Sequence, residues 1–189
     1  SKGIGYDATL LLARAGHEVI ATMRNPGASD LEEVARKARL PVTVLPLDVD
    51  DDASVADVFG RVGPSVDVLV NNAGIYSINA VEDENLDQFR RVMETNYFGA
   101  VRCVKQVVPV MRKRGSGCIV NITSVAGRIA FGGTSAYNAS KFALEAFSES
   151  LAQEVKGHGI KVALVEPGII DTAMATTNLP QYDKNTIYP

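Results

Sequence analysis

The 189-residue chain is poor in residues that build metal centres and cross-links: it has two histidines and two cysteines. His17 follows a helix-ending glycine and His158 lies between Gly157 and Gly159, with no ligand spacing around either. Both therefore read as surface residues. Cys103 and Cys118 sit in apolar stretches and read as buried thiols rather than a disulfide or a metal site. No apolar run reaches the ~18 residues of a membrane-spanning helix. Excess charge is also lacking, and a net charge of −3 gives no reason to expect nucleic acid or an anionic membrane as partner. Repeats, low-complexity segments and interdomain linkers are absent. With 46% hydrophobic and 22% charged residues, the composition is that of an ordinary globular protein, expected to be cytoplasmic.

What is present is an alternation of helices and short Val/Ile-rich strands. Helices are expected over about 8–15, 31–39, 54–62 and 135–156, with a long one over 86–112 broken near Glu94–Tyr97. Strands are expected over 18–23, 42–47, 66–70, 118–122 and 160–165. The strands are continuously apolar rather than alternating. That pattern predicts a Rossmann-type, doubly wound parallel sheet in three α/β/α layers. The polar tail after Thr172 could be a segment folded over a site or a frayed end.

One stretch concentrates reactive side chains. Tyr137 and Lys141 are four residues apart, hence on one face of a helix, and Ser124 lies thirteen residues before Tyr137 at a strand end. A free tyrosine, with a pKa near 10, is a poor acid or base at neutral pH, but a nearby ammonium stabilises its phenolate. Ser124 could donate to a substrate carbonyl or alkoxide. Together they suit proton transfer at an oxygen and call for a hydride carrier.

In a parallel sheet, ligands bind beyond the carboxyl ends of the strands. There lie Asn71-Asn72-Ala73-Gly74, Ser124, Pro167-Gly168 and the glycine turn Lys2-Gly3-Ile4-Gly5, whose backbone N–H groups could approach phosphate oxygens. Such a turn needs a strand before it, which the sequence as written does not show. At the end of the 18–23 strand stand Met23 and Arg24, with no acid to take ribose hydroxyls. Arg24 and Lys2 flanking one phosphate favour NADP(H), with NAD(H) possible; the alternative is a solvated turn arginine. Asp48 could accept from an adenine amino group or simply cap the next helix.

These residues, in this order and spacing, resemble the short-chain dehydrogenase/reductase family in its compact, non-extended branch. The matches are Ser1–Gly5, Asp48, Asn71–Gly74, Asn96, Ser124, Tyr137-x-x-x-Lys141 and Pro167-Gly168. Within the family the chain is similar to NADP-linked carbonyl reductases, and more loosely to 17β-hydroxysteroid and retinol dehydrogenases. The resemblance implies that Tyr137 is the acid/base, that Lys141 lowers its pKa and holds the nicotinamide ribose, and that Ser124 polarises the substrate oxygen. It implies that Asn96 holds a water of a proton relay. Asn72, Ala73 and Gly74 would line the adenosine side, and Ile170 and Thr172 would meet the carboxamide. Ile4, Val49, Pro167 and Gly168 complete the expected cofactor contacts. Residues 1–189 are then expected to form a single dinucleotide-binding oxidoreductase domain, written without the family's first strand and without its last strand and lid.

The expected reaction is hydride transfer between the nicotinamide and a small-molecule carbonyl or alcohol. A non-catalytic cofactor-binding scaffold or regulator is the alternative, disfavoured because Asn96, Ser124, Tyr137 and Lys141 are all present. An extended-branch epimerase or dehydratase is disfavoured by the glycine turn and by Asn71–Gly74. The apolar faces of the two long helices (Val101, Val104 and Val108; Phe142, Ala146 and Phe147) serve core packing in part. The resemblance suggests that they also pair subunits into a homodimer or homotetramer. Specificity is expected in the loop after Gly74, in 128–134 and in the tail, whose mixed residues (among them Ile75, Tyr76, Ile78, Ile129, Phe131 and Met174) permit a hydrophobic ketone and exclude little.

Overall fold

A computed structural model describes residues 3–170. Lys2, Thr172 and Met174, singled out above, lie outside the described residues. Helix and strand alternate as α1 (Ile4–Arg14), β1 (Val19–Met23), α2 (Leu31–Lys37), β2 (Val42–Pro46), α3 (Asp52–Val62) and β3 (Val68–Asn71). Then follow α4 (Leu86–Met93), α5 (Gly99–Arg114), β4 (Gly117–Ile122), α6 (Ser135–Val155) and β5 (Ile160–Val165).

All strand pairs are parallel. β1 pairs with β2 from Val19↔Val42 to Met23↔Pro46. β4 lies between β3 and β5, with Asn71↔Asn121 and Ile122↔Val165 closing the two registers. The two sheets are not hydrogen-bonded to each other. The edges of β1 and β3 border a wide interval into which Ile20, Val68 and Val70 project partly exposed apolar side chains.

The larger core joins α3, α5 and α6 to the three-stranded sheet through Val55, Val58, Val104, Val107, Met111, Ile119 and Leu151. Each such side chain contributes roughly 1.5–3 kcal/mol on burial. A smaller cluster of Leu10, Ala21 and Leu31 packs α1 and α2 onto β1 and β2. The result is the doubly wound α/β/α arrangement that the apolar strands predict.

Several element boundaries have identifiable causes. α1 begins at Ile4 rather than Ala8, because Gly3 at φ 111° turns the chain directly into the helix. Asp51, not Asp48, caps α3, its carboxylate accepting from Ala53 N at 2.8 Å and Ser54 N at 3.3 Å. Asp48 instead accepts from Asp50 N at 3.1 Å. The expected break in the long helix is a π-helical turn at Glu94–Phe98 between α4 and α5.

A buried polar chain crosses the larger core. Asn71 Nδ2 donates to Asn121 Oδ1 at 2.8 Å, Asn121 Nδ2 donates to Ser148 Oγ at 2.7 Å, and Ser148 donates to the Leu144 carbonyl at 2.6 Å. It links β3, β4 and α6 with every member satisfied, the condition under which buried polar groups are tolerated.

Candidate active site

β4 delivers Ser124 to the carboxyl end of the sheet. There the Ser124 hydroxyl accepts from Ala126 N at 3.1 Å and so caps the 3₁₀ turn Val125–Gly127. Val125 N donates to the Pro167 carbonyl at 3.0 Å, fixing this turn against the chain leaving β5. α6 begins just beyond and presents Tyr137 and Lys141 one turn apart. The Ser124 hydroxyl, which donates to the Pro167 carbonyl at 3.5 Å, also lies close enough to the Tyr137 phenol to act on it. The ring of Tyr76, from the loop after β3, packs edge-on against Tyr137 with centroids 4.6 Å apart.

The electrostatics differ from expectation in one respect. Burial pushes the Tyr137 phenol above its ordinary value; the Ser124 hydroxyl opposes this and Tyr76 adds to it. The depression expected from Lys141 is absent, for a geometric reason. Lys141 Nζ donates to the Ile122 carbonyl at 2.8 Å and stands 5.7 Å from the Tyr137 ring centroid. Burial also lowers Lys141 itself to about 8, with Glu145 acting in the opposite sense. Both shifts favour the neutral form, as a poorly solvated pocket dictates.

Asn96 occupies the π-helical turn and is buried. Its Oδ1 accepts from Ile75 N at 2.7 Å, and its Nδ2 donates to Ile75 O and to Ser140 Oγ, each at 2.9 Å. Both amide hydrogens are therefore used to hold the loop after β3 against α6. A Cβ on Gly74 would stand 3.4 Å from Asn96 Oδ1 and 3.8 Å from Lys141 Nζ, so this loop passes directly over the pair.

The glycine turn meets the same loop. A Cβ on Gly5 would come 2.5 Å from Asn72 Nδ2, so a larger residue there would push the Asn72 amide aside. Gly3 caps α1 without a side-chain acceptor, leaving N–H groups of the first turn available to an anion. Arg24 is exposed at the end of β1.

One cavity of about 1920 Å³ is lined by Gly3, Ile4, Gly5, Arg24, Asp48 and Val49, by Asn72, Ala73, Gly74 and Asn96, and by Ser124, Tyr137, Lys141, Pro167, Gly168 and Ile170. Every site residue expected from the sequence and described in the structure thus faces one space. Sequence reasoning placed Tyr76 in the specificity loop but missed its contact with Tyr137, the Ser140 partner of Asn96 and the pairing of Arg128 with Glu145. Only Glu145 carried a signal, standing four residues after Lys141 on the same helix face.

The family model for short chain dehydrogenases matches residues 1–183. The chain belongs to the short-chain dehydrogenase family. Retinol dehydrogenase 8 of Bos taurus is 40% identical over 99% of the chain and 64% of its own length. The short-chain dehydrogenase from Streptomyces avermitilis superposes with a TM-score of 0.83 at 41% identity, covering 90% of this chain and 63% of that one. The gluconate 5-dehydrogenase from Burkholderia cenocepacia, crystallised in complex with NADP and tartrate, gives a TM-score of 0.84 at 28% identity, covering 93% of this chain and 71% of that one. The chain therefore spans less than two thirds of the length of the bovine relative. Among its described residues no helix is long and apolar enough to cross a membrane.

Proposed function

We propose that the protein is an NADP(H)-dependent oxidoreductase acting between a carbonyl and a secondary alcohol, with Tyr137 as acid/base. The observation that carries this reading is the convergence of Ser124, Tyr137 and Lys141 on the same cavity as the Gly3–Gly5 turn. The residues fit a dinucleotide: the uncapped α1 start suits the pyrophosphate, and the Burkholderia relative supports NADP as the occupant. Arg24, with Lys2 beyond the described residues, would hold the 2′-phosphate, Asp48 and Val49 the adenine, and Asn72–Gly74 the adenosine side. Lys141 would hold the nicotinamide ribose, and Pro167 to Ile170 with Thr172 the carboxamide side. NAD(H) would lack a partner for Arg24.

When bound, the cofactor supplies or accepts the hydride. Ser124 donates a hydrogen bond to the substrate oxygen. Tyr137, kept protonated by its burial, gives its proton to that oxygen during reduction and takes it back during oxidation. Lys141 would stabilise the phenolate left behind by turning its ammonium from the Ile122 carbonyl toward it. Because Asn96 already uses both amide hydrogens, any water it holds for a proton relay would have to donate to it. The exposed rings Phe98 and Phe142 and the half-buried Val101 support subunit pairing, whereas Val104, Val108 and Phe147 are taken up by the larger core. We read residues 1–189 as one domain of this enzyme.

Equilibrium titration of the full-length protein with NADPH and with NADH tests the cofactor, followed by NADPH consumption with ketones. NADPH is expected to bind at least tenfold more tightly. Equal affinities would remove the phosphate site; no binding of either would remove the enzyme reading.

A further inference from the structure

Arg128 follows the 3₁₀ turn that Ser124 caps, and its guanidinium reaches three carboxylates on two other elements. Nη2 stands 3.1 Å from Glu145 Oε2 and 2.9 Å from Glu166 Oε1, and Nη1 stands 3.3 Å from Glu149 Oε1. Glu149 and Glu166 are partly solvated, so those bridges are weak. Glu145 is different. It is only 4% exposed, and neither carboxylate oxygen accepts a hydrogen bond. A buried carboxylate without hydrogen bonds depends on its counter-charges. Among the described residues these are Arg128, in contact, and Lys141, one turn earlier on α6.

The turn and the helix also touch through backbone. A Cβ on Gly127 would come 2.9 Å from Glu145 Cγ and 3.1 Å from the Lys141 carbonyl oxygen. Gly127 N donates to the Ser124 carbonyl at 2.8 Å and Arg128 N to the Val125 carbonyl at 3.0 Å. The chain that carries Ser124 is therefore pressed onto the helical turn that carries Lys141, with the Arg128–Glu145 pair at the seam.

We propose that Arg128 and Glu145 are positioning residues: their contact locks the Ser124 turn onto the turn of α6 that carries Lys141. Neither lines the cavity. The effect on Lys141 has a sign in each variant. Groups facing Lys141 among the described residues are Tyr137 and Glu145 on α6, Tyr76 against Tyr137, and Arg128 behind Glu145; Glu149 and Glu166 surround Arg128. Glu145 opposes the burial that lowers Lys141 to about 8. Glu145→Gln removes that support, so Lys141 should lose its proton at lower pH. Arg128→Gln strips Glu145 of the counter-charge it is in contact with, which weakens the same support, so Lys141 should again lose its proton at lower pH.

The inference rests on the oxidoreductase reading for its kinetic consequence but not for its titration. The test is carbon-13 NMR of lysine labelled at Cε in the intact protein, with Lys141 assigned by its loss in Lys141→Met, alongside kcat and KM. The Lys141 midpoint should move down in both Glu145→Gln and Arg128→Gln, by roughly half a unit or more. kcat should fall about tenfold in both, with the KM for cofactor within about twofold, and Arg128→Lys should recover most of kcat. Downward midpoint shifts in both variants of a protein that turns nothing over would support the coupling and sink only the enzyme reading. Unmoved midpoints, or unchanged kcat in an active enzyme, would overturn the positioning role.

Discussion

Asn96 grips Ile75 by both backbone groups, accepting from its N–H at 2.7 Å and donating to its carbonyl at 2.9 Å. A side-chain amide here imitates a strand partner and pins a loop that no regular element pairs. Through the adjacent residue, Tyr76, that grip reaches the edge of the Tyr137 ring.

Asn96→Ala is therefore expected to cost about 1–3 kcal/mol, the usual penalty for orphaning buried donors and acceptors. Turnover should fall with it, because Tyr76 and Gly74 lose their support. Thermal unfolding and kcat measured together check this. A stable variant with low kcat would mean that the loop matters only for chemistry.

Tyr137→Phe keeps the ring and its contact with Tyr76 but removes the acidic hydroxyl. Loss of general acid/base catalysis should lower kcat by about 100- to 10,000-fold. NADPH affinity should stay within about threefold, as read by fluorescence titration. Near-normal turnover would remove Tyr137 from the proposed mechanism.

Lys141 gives stability a pH window. Its folded-state pKa of about 8 lies below the roughly 10.4 of an unfolded lysine. Between those values the unfolded chain holds a proton that the folded chain has released, so stability rises with pH across the window. Below about 8 the full cost of the buried charge is present, on the order of 3 kcal/mol. Lys141→Met should therefore be more stable than the native protein at pH 7 and lose that advantage by about pH 10. A gap that stayed constant with pH would mean that packing, not charge, separates the two.

Arg24→Asp places a carboxylate where NADP(H) would carry its 2′-phosphate. NADPH affinity should drop roughly 10- to 100-fold, the size of one or two lost charge-assisted hydrogen bonds, while NADH is weakened far less. Parallel titrations of the two cofactors decide it; equal losses would place the phosphate elsewhere.

Much of this was legible in the sequence, because apolar strands and a four-residue spacing are local signals. The π-helical turn was visible as a polar interruption around Asn96. The cap of α3 was not, since consecutive acids at 50–52 compete for one position and only backbone geometry selects Asp51. Nor was the upward direction at Tyr137, which depends on how far the phenol is buried and on the Ile122 carbonyl taking the Lys141 proton donor. Arg128 and Glu145 are brought together by a turn and a helix, and nothing local in the chain announces their pairing.

The amide chain from Asn71 through Asn121 to Ser148 also bears on how the sheet assembles. Around Asn121 β4 offers only the aliphatic Ile119, Val120 and Ile122, which would pair almost equally well one step out of line. Sliding it by one residue would turn Asn121 to the opposite face, away from both partners. Three buried polar groups would lose their bonds at once, at about 1–3 kcal/mol each. A misaligned sheet is thus penalised at its centre, where an interchangeable Val or Ile would have let the error pass.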